Sequence, residues 1–143
     1  MTAVAFHFNV SDRLNYVCRL LRKAVASGSR IVVTGSTADL VAVDVALWAV
    51  SPTDFVTHCL QDASATALAV SSVVLVEDCR PHADCNVLLN LGANVPAGFD
   101  VFERVIEVVS HDEDERRLAR AKWRFYAQAG CPLTQYDLQK AKP

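Results

Sequence analysis

The order of the first elements constrains this chain more than any other feature. Ala3-Val-Ala-Phe-His-Phe8 is short, apolar and partly β-branched, the pattern of a buried strand. A helix follows, capped by Ser11 or Asp12 and running to about Ser27, with Gly28 as its stop. Its apolar residues Leu14, Val17, Cys18, Leu21 and Val25 recur at steps of three and four and so share one face. Arg13, Arg19, Arg22 and Lys23 fall on the outer face. Arg30-Ile-Val-Val-Thr34 reads as a second buried strand, and a second helix runs from about Ala38 to Val50, ended by Ser51-Pro52. Strand, helix, strand, helix in that order implies parallel strands joined by right-handed crossovers.

The remainder continues in the same style. Val73–Val76, Asn86–Leu91 and Phe102–Val109 read as strands, separated by polar or glycine-bearing connections. A long helix from about His111 to Ala129 closes the pattern, stopped by Gly130 and Pro132. Residues 134–143 have few apolar side chains and are expected to fray. The expected fold is therefore α/β, a single Rossmann-like domain over residues 1–143. It has a mostly parallel sheet flanked by helices and a long C-terminal helix.

Composition narrows the function. The chain has 143 residues, 52% of them hydrophobic and 21% charged, enough for one real core and too apolar for disorder. Its net charge is −2, whereas a chain that wraps nucleic acid usually carries an excess of Lys and Arg. Any anion site must therefore be a local patch. No apolar run approaches the roughly 20 residues that span a bilayer. Met1–Asn9 lacks the order of a signal peptide, so a cytoplasmic location is expected. The five cysteines, Cys18, Cys59, Cys79, Cys85 and Cys131, are then expected as reduced thiols.

The last helix carries the most information. Ser110 and Glu113 have capping-box spacing, and Asp112, Glu113, Asp114 and Glu115 sit where the helix dipole favours negative charge. At about 100° per residue, Leu118, Phe125 and Ala129, with Ala121 nearby, form the expected core face. Arg116, Arg117, Arg120 and Arg124 gather opposite, and Trp123 and Tyr126 lie on a flank. One reading is a solvated face supported by an i,i+4 pair between Glu113 and Arg117. The other is a receptor for an anionic peptide. Guanidinium offers paired donors to carboxylates, and an adjacent indole holds an apolar side chain.

Other constellations are weaker. Cys79, His82 and Cys85 have a spacing that is not a common zinc knuckle, and a fourth ligand would have to come from His58 or Cys59. No metal site is expected. Thr34-Gly35-Ser36-Thr37 sits at a strand-to-helix junction where phosphates bind elsewhere, yet it matches neither phosphate-loop nor dinucleotide spacing, and a capped helix start explains it. Leu47 and Trp48 close a helix, Pro52 turns the chain and Phe55 follows. Core packing explains this cluster, and so does a docking patch for a second protein.

Taken in order, these pieces resemble the chi subunit family of the bacterial DNA polymerase III holoenzyme. The resemblance rests on Phe6-His-Phe8 with Asp12-Arg-Leu14, on Ala46-Leu-Trp48 with Phe55-Val-Thr-His58, and on Asn86–Leu91. It continues through Phe102–Val109 and its acidic turn to Arg117-Leu-Ala-Arg120-Ala-Lys-Trp123-Arg-Phe-Tyr126. It implies a Rossmann-like, non-catalytic accessory of the clamp-loader assembly with no cofactor and no direct DNA contact. One side would bind the psi subunit, through positions that map to Trp48, Pro52 and Phe55. Another would bind the acidic C-terminal tail of single-stranded-DNA-binding protein, through Arg116, Arg120, Trp123 and Arg124, with Val109 nearby. The connection after Val109 is shorter than in the best-known members, and Trp123 stands where a tyrosine is familiar. Two rival functions stay open. One is direct nucleic-acid binding by the same arginines; the other is a small-molecule enzyme on this fold, using the Gly35 junction.

Overall fold

A computed structural model describes residues 2–48, 58–60, 73–77 and 85–138, with the backbone only at 48 and 58–60. The elements are β1 (Ala3–Val10), α1 (Arg13–Ala26), β2 (Ile31–Thr34), α2 (Thr37–Trp48), β3 (His58–Leu60), β4 (Val73–Val76), β5 (Val87–Asn90), β6 (Arg104–Ser110), α3 (Glu113–Gln128) and β7 (Leu133–Asp137). The strands form one seven-stranded sheet in the order β3-β4-β2-β5-β6-β1-β7. Every pairing in it is parallel. The α/β expectation with a parallel sheet flanked by helices is therefore met. No helix among the described residues is long and apolar enough to cross a membrane.

Alternation along the strands builds two cores. Ile31, Val33, Val73, Leu75, Leu89, Ile106 and Val108 pack under Val17, Cys18 and Leu21 of α1 and Leu40, Val43 and Leu47 of α2. On the other face, Val4, Phe6, Val32, Val74, Leu88, Val105 and Val109 pack with Ala119 and Tyr126 of α3. The central strands β2, β4 and β5 are buried along their whole length, as the inner strands of a parallel sheet usually are.

Glycines end two helices as the sequence predicts. After α1, Gly28 takes φ +92, Gly28 N donates to Val25 O, and Ser29 N to Ala24 O. After α3, Gly130 takes φ +82, Gly130 N donates to Ala127 O, and Cys131 N to Tyr126 O. Both are Schellman closures, in which a left-handed residue lets two amides satisfy the last carbonyls.

Four sequence expectations need correction. The long helix is present but is not the last element: Leu133–Asp137 forms β7 beside β1, although residues 134–143 were expected to fray. An edge strand with one face on the core needs few apolar residues, and only Leu133 here joins the core cluster. Second, the N-cap of α3 is Asp112, not Ser110. Asp112 Oδ2 accepts from Glu115 N at 3.0 Å, while Ser110 ends β6 and accepts from Asp112 N through Oγ. Third, the expected Glu113–Arg117 pair is replaced: Arg117 meets Asp114 at 3.2 Å and Glu113 meets Arg120 at 3.6 Å. Fourth, β3 was not anticipated, being only three residues long.

His7 lies on the α1 side of β1, sharing a hydrogen bond with the Tyr16 hydroxyl and facing the Tyr136 ring at 4.9 Å. Burial first, and then the charge of Arg104, hold its imidazole below its ordinary value of 6.5. The unfolded chain therefore binds a proton at a pH where the folded chain does not. Stability present above about pH 6.5 is lost as pH falls toward the lowered folded value. In denaturant titrations between about pH 7.5 and 5, His7→Gln is expected to flatten that fall. An unchanged slope would remove His7 as its source.

Candidate functional site

The buried face of α3 is not the one that its apolar residues suggest. Ala119, Lys122 and Tyr126 are buried, whereas Phe125 is 50% exposed and Ala121 and Ala129 are exposed. The helix is turned by roughly 80° from the expected face, at about 100° per residue. The cause is Glu107, in the middle of the apolar strand β6 and 0% exposed. Lys122 Nζ donates to its Oε1 at 2.7 Å and to Gly92 O at 3.0 Å. Asn90 Nδ2 and the Tyr126 hydroxyl donate to Oε2 at 2.9 and 2.7 Å. Burial lifts the Glu107 carboxyl above its ordinary value, against the charge of Lys122 and the hydrogen bonds from Lys122, Asn90 and Tyr126. A buried charge is tolerated only when so paired.

That rotation decides which arginines face the protein. It carries Arg116, Arg120 and Trp123 toward β1 and leaves Arg117 and Arg124 toward solvent. A concavity of about 230 Å³ results, lined by Val109, Arg116, Arg120, Trp123 and also by Phe6, Phe8, Ala119 and Gln135. Of the predicted tail-site residues, Arg124 alone stands outside it. Phe6 packs against Trp123 with ring centroids 5.2 Å apart. This contact fixes the indole as one wall.

The groove is apolar below and basic at its rim. Phe6 and Val109 are buried, Phe8 and Trp123 half-buried, and Arg116 and Arg120 exposed. Arg120 is engaged by Glu113 at 3.6 Å, but both side chains are mostly exposed. Such a pair is worth about 0–1 kcal/mol and yields readily to a better carboxylate. The site thus offers guanidinium donors beside a slot for one hydrophobic side chain. Sequence reasoning missed Phe6, Phe8, Ala119 and Gln135. The alternation of Phe6 and Phe8 around His7 was the available signal, since it puts both rings on one face of β1. A larger hollow of about 780 Å³, on the α1 side near His7, Tyr16 and Tyr136, contains none of the predicted residues.

The remaining predicted positions fare differently. Trp48 closes α2, but its side chain, and Pro52 and Phe55 altogether, lie outside the described residues. So do Cys79 and His82; Cys85 is described and half-buried. Among the described residues no group of three or more His, Cys, Asp or Glu is placed to hold a metal ion. At the Gly35 junction, Ser36 Oγ accepts from Asp39 N at 3.2 Å, the arrangement of a capped helix start. Thr37 donates to Glu77 across the same junction.

Fold and groove together define an all-parallel α/β protein with a basic, aromatic-walled groove beside its last helix. The family model "DNA polymerase III chi subunit, HolC" matches residues 1–134. The DNA polymerase III subunit chi of Pseudomonas aeruginosa is 32% identical over 145 residues, covering 98% of this chain and 99% of that one. The chain belongs to the chi subunit family of DNA polymerase III, and as such is a non-catalytic accessory subunit of DNA replication. Among solved structures, the C-terminal domain of the DEAD-box protein Dbp5 matches with a TM-score of 0.62 at 9% identity, over 97% of this chain and 91% of that one. The S. cerevisiae Dbp5 C-terminal domain bound to Gle1 and IP6 matches at 0.60, also 9% identical, over 96% and 90%. These likenesses concern the fold alone.

Proposed function

We propose that this subunit tethers the polymerase III machinery to single-stranded-DNA-binding protein by holding that protein's acidic C-terminal tail in the groove of Arg116, Arg120, Trp123 and Val109. The observation that carries this reading is the convergence of those side chains, from β6 and α3, on one concavity with an apolar floor. Arg116 and Arg120 pair with the tail's carboxylates, and Trp123 with Phe6 holds its hydrophobic residue. Guanidinium–carboxylate contacts give the specificity, and burial of the apolar residue adds affinity. On its other side the chain joins the clamp-loader assembly through psi, at a patch that includes Trp48, Pro52 and Phe55; the family resemblance alone supports this second contact. The work is done in the cytoplasm, without a cofactor.

Calorimetric titration of the whole chain with the tail peptide tests the reading. Binding is expected to be saturable, to weaken as salt rises and to fall when the peptide's terminal carboxylate is amidated. Salt-independent binding, or equal affinity for the amidated peptide, would overturn the assignment of the arginines. Direct nucleic-acid binding is the rival for the same residues, and the net charge of −2 disfavours it. A bare single-stranded oligonucleotide that binds this chain as tightly as the peptide would favour the rival.

A further inference from the structure

Among the described residues, Asn9 alone other than glycine has a left-handed backbone, at φ +59. It sits at a break in register. His7 pairs with Val108 and Val10 with Ser110, so Phe8 and Asn9 together face Val109 on β6. This is a β-bulge, whose extra residue bends the strand and re-aims a side chain. Asparagine adopts that conformation more readily than most residues. Asn9 Nδ2 donates to Asp137 Oδ1 at 2.9 Å, which ties the bulge to the end of β7. Asn9 thereby joins the lining of the hollow of about 780 Å³ on the α1 side of the sheet.

Two walls of different character build that hollow. The sheet wall is aromatic. Tyr136 stands beside His7 in the β1–β7 register, with ring centroids 4.9 Å apart, and the Tyr16 ring lies 5.7 Å from the same imidazole. From β1 the core under α1 takes only Val10, and from β7 nothing, so these positions need not be apolar. Tyr136 is 54% exposed, which leaves its ring within reach of a ligand. The helix wall is basic. Tyr16, Arg19 and Lys23 recur at steps of three and four and so share one side of α1, beside its buried stripe of Val17, Cys18 and Leu21. The one carboxylate of the lining, Asp12, accepts from Asn15 N at 3.1 Å and caps α1. Asn9, Val10 and His111 place the hollow at the carboxyl ends of β1 and β6, where open parallel sheets hold ligands. Its size falls within the range of about 300–1,000 Å³ usual for small-ligand sites.

We propose that this hollow binds a nucleoside phosphate, with the base against Tyr136 and the phosphate at Arg19 and Lys23. Rings that carry hydroxyls, with Asn9 and Asn15 in the same lining, suit a flat heterocycle with polar edges. The tail groove, floored by Phe6 and Val109, suits a hydrocarbon side chain instead. Guanidinium and ammonium meet phosphate oxygens through charge-assisted hydrogen bonds. A free nucleotide and the end of a nucleic-acid strand share this chemistry. The two sites are independent, for no residue is common to their linings.

Calorimetric titration of the whole chain with deoxyadenosine monophosphate, deoxyadenosine and inorganic phosphate tests the site. The monophosphate is expected to bind saturably below about 1 mM, and the nucleoside at least about tenfold more weakly. Arg19→Ala combined with Lys23→Ala should weaken the monophosphate at least about tenfold and leave the tail peptide's affinity unchanged. Tyr136→Ala should cost about tenfold, whereas Tyr136→Phe, which keeps the ring, should stay within about twofold. A single-stranded oligonucleotide ending in the same monophosphate tells the sources apart. A gain over the mononucleotide that Arg19→Ala with Lys23→Ala removes identifies a strand end; equal or lower affinity identifies a free nucleotide. Absence of saturable binding by the monophosphate overturns the proposal. So does displacement by inorganic phosphate at equal concentration, which would make the hollow an anion patch without a base site. Loss of nucleotide binding on Arg116→Ala with Arg120→Ala, and not on Arg19→Ala with Lys23→Ala, overturns it as well.

Discussion

Replacing Lys122 with methionine is expected to lower the unfolding free energy by about 3–5 kcal/mol, because it strands a charge in the core. Glu107 is 0% exposed, and its Oε1 has Lys122 Nζ at 2.7 Å. Without the ammonium, the carboxylate keeps only the hydrogen bonds from Asn90 and the Tyr126 hydroxyl. It must then take up a proton or draw in water, and either disturbs the packing of α3 on β6. For a chain of this length the melting temperature should fall by on the order of 10 °C. The double variant Glu107→Gln with Lys122→Met should recover most of the loss. The charge is gone, and the amide oxygen of the glutamine still accepts from Tyr126 and Asn90. Denaturant unfolding measures both. A single variant that costs under about 1 kcal/mol would mean that the pair is not desolvated as the structure has it.

The second large effect is on binding. Arg116→Ala combined with Arg120→Ala should weaken capture of the tail peptide by about a hundredfold or more, since each charge-assisted contact is worth about 1.5–3 kcal/mol. Arg124→Ala should change affinity by no more than about twofold, because Arg124 lies outside the groove and an exposed charge acts weakly through solvent. Isothermal titration at low salt separates the two outcomes. Equal losses from Arg124→Ala and Arg120→Ala would point to a diffuse field from the whole helix instead of a site.

The contrast between Arg120 and Arg124 was not legible in the sequence, and the reason is physical. A helical projection weighs residues by side-chain type and turns Phe125 inward. The structure does the reverse, because a carboxylate buried in β6 outweighs the preference of one phenyl ring for the core. Glu107 inside Val105-Ile-Glu-Val-Val109 was the visible clue that something cationic had to be buried opposite it. Several features set by local backbone chemistry are legible, although the N-cap at Asp112 is not among them. The stops at Gly28 and Gly130 and the apolar runs of β2, β4 and β5 follow from rules that act over a few residues. Features set by neighbours distant in sequence are not legible. Leu133–Asp137 is a strand because β1 offers it a free edge, and nothing in Leu-Thr-Gln-Tyr-Asp announces that partner. The same limit hid Phe6, Phe8 and Gln135 from the groove, whereas Val109, Arg116, Arg120 and Trp123 of the five expected residues line it.

In the proposed complex Trp123 walls the pocket that receives the peptide's hydrophobic residue. The most direct measurement is the position of the Trp123 indole N–H resonance as the unlabelled tail peptide is titrated into the nitrogen-labelled chain. That resonance should move progressively and saturate with the binding curve. Peptide binding that leaves it in place would contradict the account.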